Sequence, residues 1–125
     1  MKFETVRAIA LALPEVEEGS SYGTPSFRVR KHFLARLREE GVLVVKIDLA
    51  DKEFLIRSRP ETYFSTPHYD GYPAVLVKLA AVSRAELEQL LTAAWRFVAP
   101  PRLAAASNAT LPPVRQRAAS RKGRT

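Results

Sequence analysis

The hydrophobic positions change period along the chain. Phe3, Val6, Ala10 and Leu13 recur at helical spacing, with Ile9 beside them, and Pro14 ends the run. This predicts a short amphipathic helix. Glu15 to Ser21 is acidic and small and reads as a loop. Over 26–47 the period drops to two. Phe27, Val29, Phe33, Ala35 and Leu37 hold one parity, and Arg28, Arg36 and Arg38 the other, as in half-buried strands. If Val29 lies opposite Phe33, then Arg30, Lys31 and His32 form a three-residue turn. Glu39-Glu40-Gly41 reads as a second such turn, with Gly at its left-handed position. It pairs Arg38 with Val42 and Leu37 with Leu43. Leu43, Val45 and Ile47 then join the core parity, while Val42, Val44 and Lys46 join the arginines.

Asp48 to Arg59 has an acidic first turn and basic residues before Pro60, which suits a helix. Thr62 to Thr66 is a weak strand pattern and Pro67 to Gly71 a loop. Tyr72 to Leu79 is a strong strand, with Val75, Val77 and Leu79 alternating against Ala74, Leu76 and Lys78. Ser83 with Glu86 three residues later is a capping box. It opens a helix whose apolar face is Leu87, Leu90, Leu91, Ala94 and Val98, and Pro100-Pro101 stops it. The predicted order is α-β-β-β-α-β-β-α. Hairpin-linked strands with few helices imply an α+β two-layer sandwich, an antiparallel sheet of about five strands with helices on one face.

Charge divides the chain in two. Residues 1–99 carry 14 Lys+Arg against 13 Asp+Glu, and 100–125 carry 6 Lys+Arg and no acid. The overall charge of +7 therefore describes a nearly neutral domain, 1–99, followed by a basic Pro/Ala/Arg-rich tail, 100–125, expected to be flexible. There are no cysteines, so disulfides and thiol chemistry are excluded. No apolar run reaches the roughly 20 residues of a membrane span, and no signal-peptide pattern opens the chain. A cytoplasmic protein without membrane contact is expected.

The chemistry lies in two places. Parity puts Arg28, Arg36, Arg38, Lys46 and Lys78 on the open sheet face with no acid among them, and Arg30 and Lys31 at a hairpin tip. Such a face suits nucleic acid phosphates, although basic residues on an exposed sheet are also routine. Val42, Val44 and Leu76 on the same face admit a protein or self-association surface instead. The second place is His68-Tyr69-Asp70-Gly71-Tyr72-Pro73. His68 could act as a base oriented by Asp70, but Asp70-Gly71 is ordinary turn chemistry and two-residue spacing does not bring those side chains together. A small-molecule site near Tyr69 and Tyr72 has only aromatic content behind it. The two histidines, His32 and His68, fall in different loops, so no metal set is expected. The serines lack a nucleophile motif, and no cofactor-binding pattern occurs. The expectation is a non-enzyme.

The chain resembles the MmcQ/YjbR family of small bacterial proteins. The resemblance rests on Leu11-Ala12-Leu13-Pro14-Glu15-Val16-Glu17-Glu18, on Tyr22-Gly23-Thr24-Pro25-Ser26-Phe27-Arg28-Val29, and on Lys31-His32-Phe33-Leu34-Ala35-Arg36-Leu37. Lys46, His68-Tyr69-Asp70-Gly71-Tyr72-Pro73-Ala74-Val75-Leu76-Val77 and Ala93-Ala94-Trp95-Arg96 complete it, over roughly 2–99. The resemblance implies a frataxin-like (CyaY-like), secretion-chaperone-like topology and a DNA-binding label tied to a double-wing use of hairpins. Carried onto this chain, the first wing is 26–38 with Arg28, Arg30, Lys31, Arg36 and Arg38. The second is 62–79 with His68, Tyr69, Tyr72 and Lys78. The expected partner is double-stranded DNA; the alternative is another protein or a second copy of the chain.

Overall fold

The computed structural model describes residues 1–107. Helix α1 (Phe3–Leu11) buries Val6, Ile9 and Ala10, the face its spacing marked. Strands β1 (Val16–Ser21), β2 (Thr24–Val29), β3 (His32–Glu39) and β4 (Val42–Lys46) follow as consecutive hairpins. Helix α2 (Leu49–Ser58) is capped by Asp48, whose side chain accepts from the Asp51 amide at 2.8 Å. Strands β5 (Tyr63–Phe64) and β6 (Ala74–Lys78) precede helix α3 (Arg84–Val98), which opens with the Ser83 side chain accepting from the Glu86 amide at 3.0 Å. Helix α4 (Pro101–Ser107) ends the described chain.

The strands form one sheet in the order β1-β2-β3-β4-β6-β5, and every pairing is antiparallel. The class and the one-sided helix layer match the sequence reading. Val29, Leu43, Val45, Ile47, Val75 and Val77 point into the main core beneath α1 and α3. Trp95 of α3 lies fully buried in it and donates from Nε1 to the Pro14 carbonyl at 2.9 Å, tying the last long helix to the first turn.

Four local expectations are corrected. Residues 16–21 are not a loop but the edge strand β1, paired from Val16↔Val29 to Ser21↔Thr24. It has one aliphatic residue, Val16, so it carries no hydrophobic alternation. The first β2–β3 turn has two residues, not three: Val29 pairs with His32, and Arg30 and Lys31 take φ of 47° and 79°. This left-handed pair matches the sheet's twist without a glycine to announce it. The shortened turn would invert β3, but a bulge at Leu34 restores register by Ala35↔Phe27. Phe33 therefore leaves the core parity for the open face, and Leu34 enters the core. At the second turn Leu37↔Leu43 and Arg36↔Val44 hold, but Val42 pairs with Glu39 rather than Arg38. Gly41 sits there at φ 81°, as its place in the turn requires. Finally, 101–107 is helical and Leu103 is buried in the core, so order extends past 99; residues 108–125, the rest of the expected tail, lie outside the described residues.

Candidate nucleic-acid interface

The open face is not a bare solvated sheet. Phe33, Val42, Val44, Leu76 and Ala74 meet Phe64 and Tyr69 in a second, smaller apolar cluster. Its lid is the connection 65–73 between β5 and β6, which folds back over the sheet. Tyr69 is only 8% exposed and caps the cluster.

A buried amine holds this lid down. Lys52 of α2, 4% exposed, is the one buried charged side chain among the described residues. Its ammonium donates to the Tyr69 carbonyl at 2.5 Å and the Tyr72 carbonyl at 2.9 Å. Burial pushes its pKa below the ordinary lysine value, partly opposed by the nearby Asp70 carboxylate. Ser65 donates to Asp70 at 2.9 Å and closes the loop on itself.

Between the lid and the β1–β2 and β3–β4 hairpins lies a cleft of about 740 Å³. It is lined by Ser21, Tyr22, Arg28, Phe33, Arg36, Arg38, Val44, His68, Tyr69 and Tyr72. Arg36 projects from the middle of β3. Its guanidinium donates to the Tyr69 hydroxyl at 3.2 Å and lies 5.2 Å from the centre of the Tyr22 ring. Arg28 reaches the Ser21 hydroxyl at 3.4 Å. Neither Arg28 nor Arg36 is ion-paired among the described residues. His68 packs edge-on against Tyr69 at 4.9 Å, and Tyr69 lies 6.1 Å from Tyr72.

The candidate residues thus separate into groups. Arg28, Arg36, Arg38, His68, Tyr69 and Tyr72 come together around one cleft. Lys46 adjoins it, its ammonium 5.4 Å from the Tyr72 ring. Lys78 lies instead by Phe64, 5.5 Å from that ring, beyond the cleft lining. Arg30 and Lys31 are at the hairpin tip away from it, and Arg30 is clamped to Glu15 by contacts of 2.6 and 3.0 Å. Arg38 is paired with Glu39 at 2.8 Å. The face is also not free of acids. With β1 in the sheet, Glu17 stands opposite Arg28. His68 packs on Tyr69 while Asp70 is held by Ser65, so the loop offers no histidine–aspartate pair.

The residues missed by sequence reasoning are Tyr22 and Phe33. Tyr22 occupies the first position of the β1–β2 turn at φ 55°, followed by Gly23 at 80°. The one signal was that Tyr22-Gly23 has the shape of a two-residue hairpin turn, where Asn-Gly is the usual choice. Phe33 was hidden by the bulge. Among the described residues no group of three or more His, Cys, Asp or Glu could hold a metal, and no helix is long and apolar enough to cross a membrane.

A six-stranded antiparallel sheet with helices on one side and a cation- and aromatic-lined cleft on the other defines an open-faced α+β fold. Within that class the chain belongs to the YjbR family, whose model matches residues 11–97. A crystal structure from Deinococcus radiodurans, a protein with the family-model domain DUF419, has the same fold at a TM-score of 0.66. It is 22% identical and covers 77% of each chain. Uncharacterised proteins of Mycobacterium tuberculosis and Mycobacterium bovis are 47% identical over 68 residues, 54% of this chain and 46% of theirs. The match therefore spans about half the length of these curated relatives. None of these relatives indicates an enzymatic activity.

Proposed function

We propose that the open sheet face binds nucleic acid, with Arg28 and Arg36 as its principal phosphate contacts and Arg38 and Lys46 flanking them. The observation that carries this reading is that Arg28 and Arg36 both line the cleft and have no ion pair among the described residues, whereas Arg38 at the same cleft and Arg30 at the hairpin tip are ion-paired. An unpaired arginine fork is a ready partner for a phosphate. The DNA-binding expectation is kept in this form. Its hairpin-tip element is not, because Arg30 is occupied by Glu15. The rival reading, association through Val42, Val44 and Leu76, is weakened because Val44 and Leu76 are buried under the lid.

The test is a salt titration of DNA affinity with the full chain, by anisotropy of a labelled oligonucleotide. Each phosphate contact contributes about 0.9 to the slope of log affinity against log salt on duplex, and about 0.7 on single strands. Replacing Arg28 and Arg36 together with Ala should lower the slope by about 1.4 to 1.8. A control with the same charge change off the face, Arg57→Ala with Arg96→Ala, should lower it less. Equal slopes for the two double variants would remove the face as the binding surface.

A further inference from the structure

Phosphate contacts alone would need cations, but the cleft also holds aromatic rings in unusual positions. Tyr22 is 92% exposed, the most exposed of the large hydrophobic side chains. It also sits in the left-handed region at φ 55°, which is unfavourable for a bulky side chain. Asn at this position would remove the strain and suit the turn. A strained and exposed ring at the mouth of a cleft is where function rather than stability is the physical explanation. Tyr72, in the same cleft lining, is 46% exposed, with Lys46 beside its ring. Arg36 lies over the Tyr22 ring and is hydrogen-bonded to Tyr69, whose own ring is 6.1 Å from that of Tyr72.

Intact duplex has no use for these rings. Its base faces are stacked inside, and it offers a protein surface only phosphates, sugars and base edges. An unpaired strand exposes π-faces, and proteins that hold such strands combine a basic groove with aromatic platforms. The cleft volume of about 740 Å³ lies in the range of small-ligand sites, large enough for a nucleotide unit.

Resting on the nucleic-acid reading above, we infer that the cleft takes unstacked bases of a single strand, with Tyr22 as the stacking platform, Tyr72 as the facing ring and Arg36 on the adjoining phosphate. Stacking would use the ring of Tyr22 left open to solvent while its other side leans on the Arg36 guanidinium.

The experiment uses the full chain, a labelled 15-nucleotide strand of mixed sequence, and the blunt duplex of that sequence. Wild type should bind the strand more tightly than the duplex at equal salt. Tyr22→Asn should weaken strand binding about 5- to 140-fold, the worth of one base–aromatic stack. It should leave duplex affinity and the salt slope unchanged and raise the melting temperature, because the turn gains a residue suited to it. Tyr22→Phe should keep strand affinity. If Tyr22→Asn binds the strand as wild type does, or weakens strand and duplex equally, the inference fails. The phosphate reading then survives if the Arg28/Arg36 variant still lowers the salt slope. If wild type binds neither probe, both fail.

Discussion

Tyr69 links the fold to the site, and its truncation should show it. The ring caps Val44, Ala74 and Leu76, its hydroxyl accepts from Arg36, and its carbonyl accepts from Lys52. A buried aromatic side chain removes about 150–200 Å² from water. At about 25 cal/mol per Å², that is about 4 kcal/mol for the ring. The alanine methyl retains a little of this, and the lid can settle partly into the gap. About 3 kcal/mol should then be lost in Tyr69→Ala, at the low end of aromatic-to-alanine changes in cores. For a domain near 100 residues, that corresponds to a fall in melting temperature on the order of 10–20 °C. Tyr69→Phe keeps the ring and removes only the hydroxyl, so it should cost about 1 kcal/mol or less. Urea unfolding followed by far-ultraviolet circular dichroism measures both variants. Amide exchange over 65–73 should speed up in Tyr69→Ala and stay slow in Tyr69→Phe. If Tyr69→Ala unfolds within about 0.5 kcal/mol of wild type, within the range of ordinary surface substitutions, the lid is not held by its ring and the second cluster is not a structural unit.

Two further predictions concern the domain. Trp95→Phe should destabilise the chain by about 2–3 kcal/mol. It removes the Nε1 bond to the Pro14 carbonyl at 2.9 Å and part of a fully buried ring. Since Trp95 is the sole tryptophan, circular dichroism must follow the unfolding, and a loss under about 0.5 kcal/mol would contradict the tether. The second prediction is acid sensitivity. Hydrogen bonds from Arg30, Arg7 and Arg59 hold the carboxyls of Glu15, Glu18 and Glu61 below the ordinary value of 4.5. The folded state binds fewer protons than the unfolded state there, so their stabilisation is whole above 4.5 and is lost as pH falls through the lowered values. The urea midpoint should therefore drop below pH 4.5, less steeply in Arg7→Gln with Arg30→Gln and in high salt. An identical acid profile in that variant would show that these pairs do not contribute.

Much of the architecture was legible because strand parity is a local signal. Val75 and Val77 on β6 with Leu79 just after it, and Leu43 and Val45 on β4 with Ile47 just after it, reported their face directly, as did the capping pair Ser83 and Glu86 for α3. Edge strand β1 escaped because an edge strand with polar faces buries too little to show a period. The first β2–β3 turn escaped for a different reason. Arg30 and Lys31 adopt left-handed geometry without Gly or Asn, and the bulge at Leu34 then cancels the error by Ala35. A reader of parity alone recovers the right faces for Arg36 and Leu37 by an incorrect route, and misplaces Phe33 and Leu34.

The cleft itself is less legible, since its parts meet across long separations. Arg36 reaches Tyr69, 33 residues away, and Lys52 fixes the Tyr69 carbonyl from 17 residues away. Neither contact has a spacing signature. The cations could be read as a face because alternation assigns faces. Which of them find acid partners could not, because it depends on which carboxylates the fold brings near: Glu15 comes to Arg30, Glu18 to Arg7 and Glu39 to Arg38, whereas among the described residues no carboxylate pairs with Arg36. On the proposed reading, that difference is what sets Arg36 apart from Arg30. The same reading moves the proposed contact from the hairpin tip, prominent in the sequence, to the middle of β3. Arg30 at the exposed tip is paired with Glu15, just before the edge strand, and Arg36 in the cleft meets the Tyr69 hydroxyl and the Tyr22 ring instead.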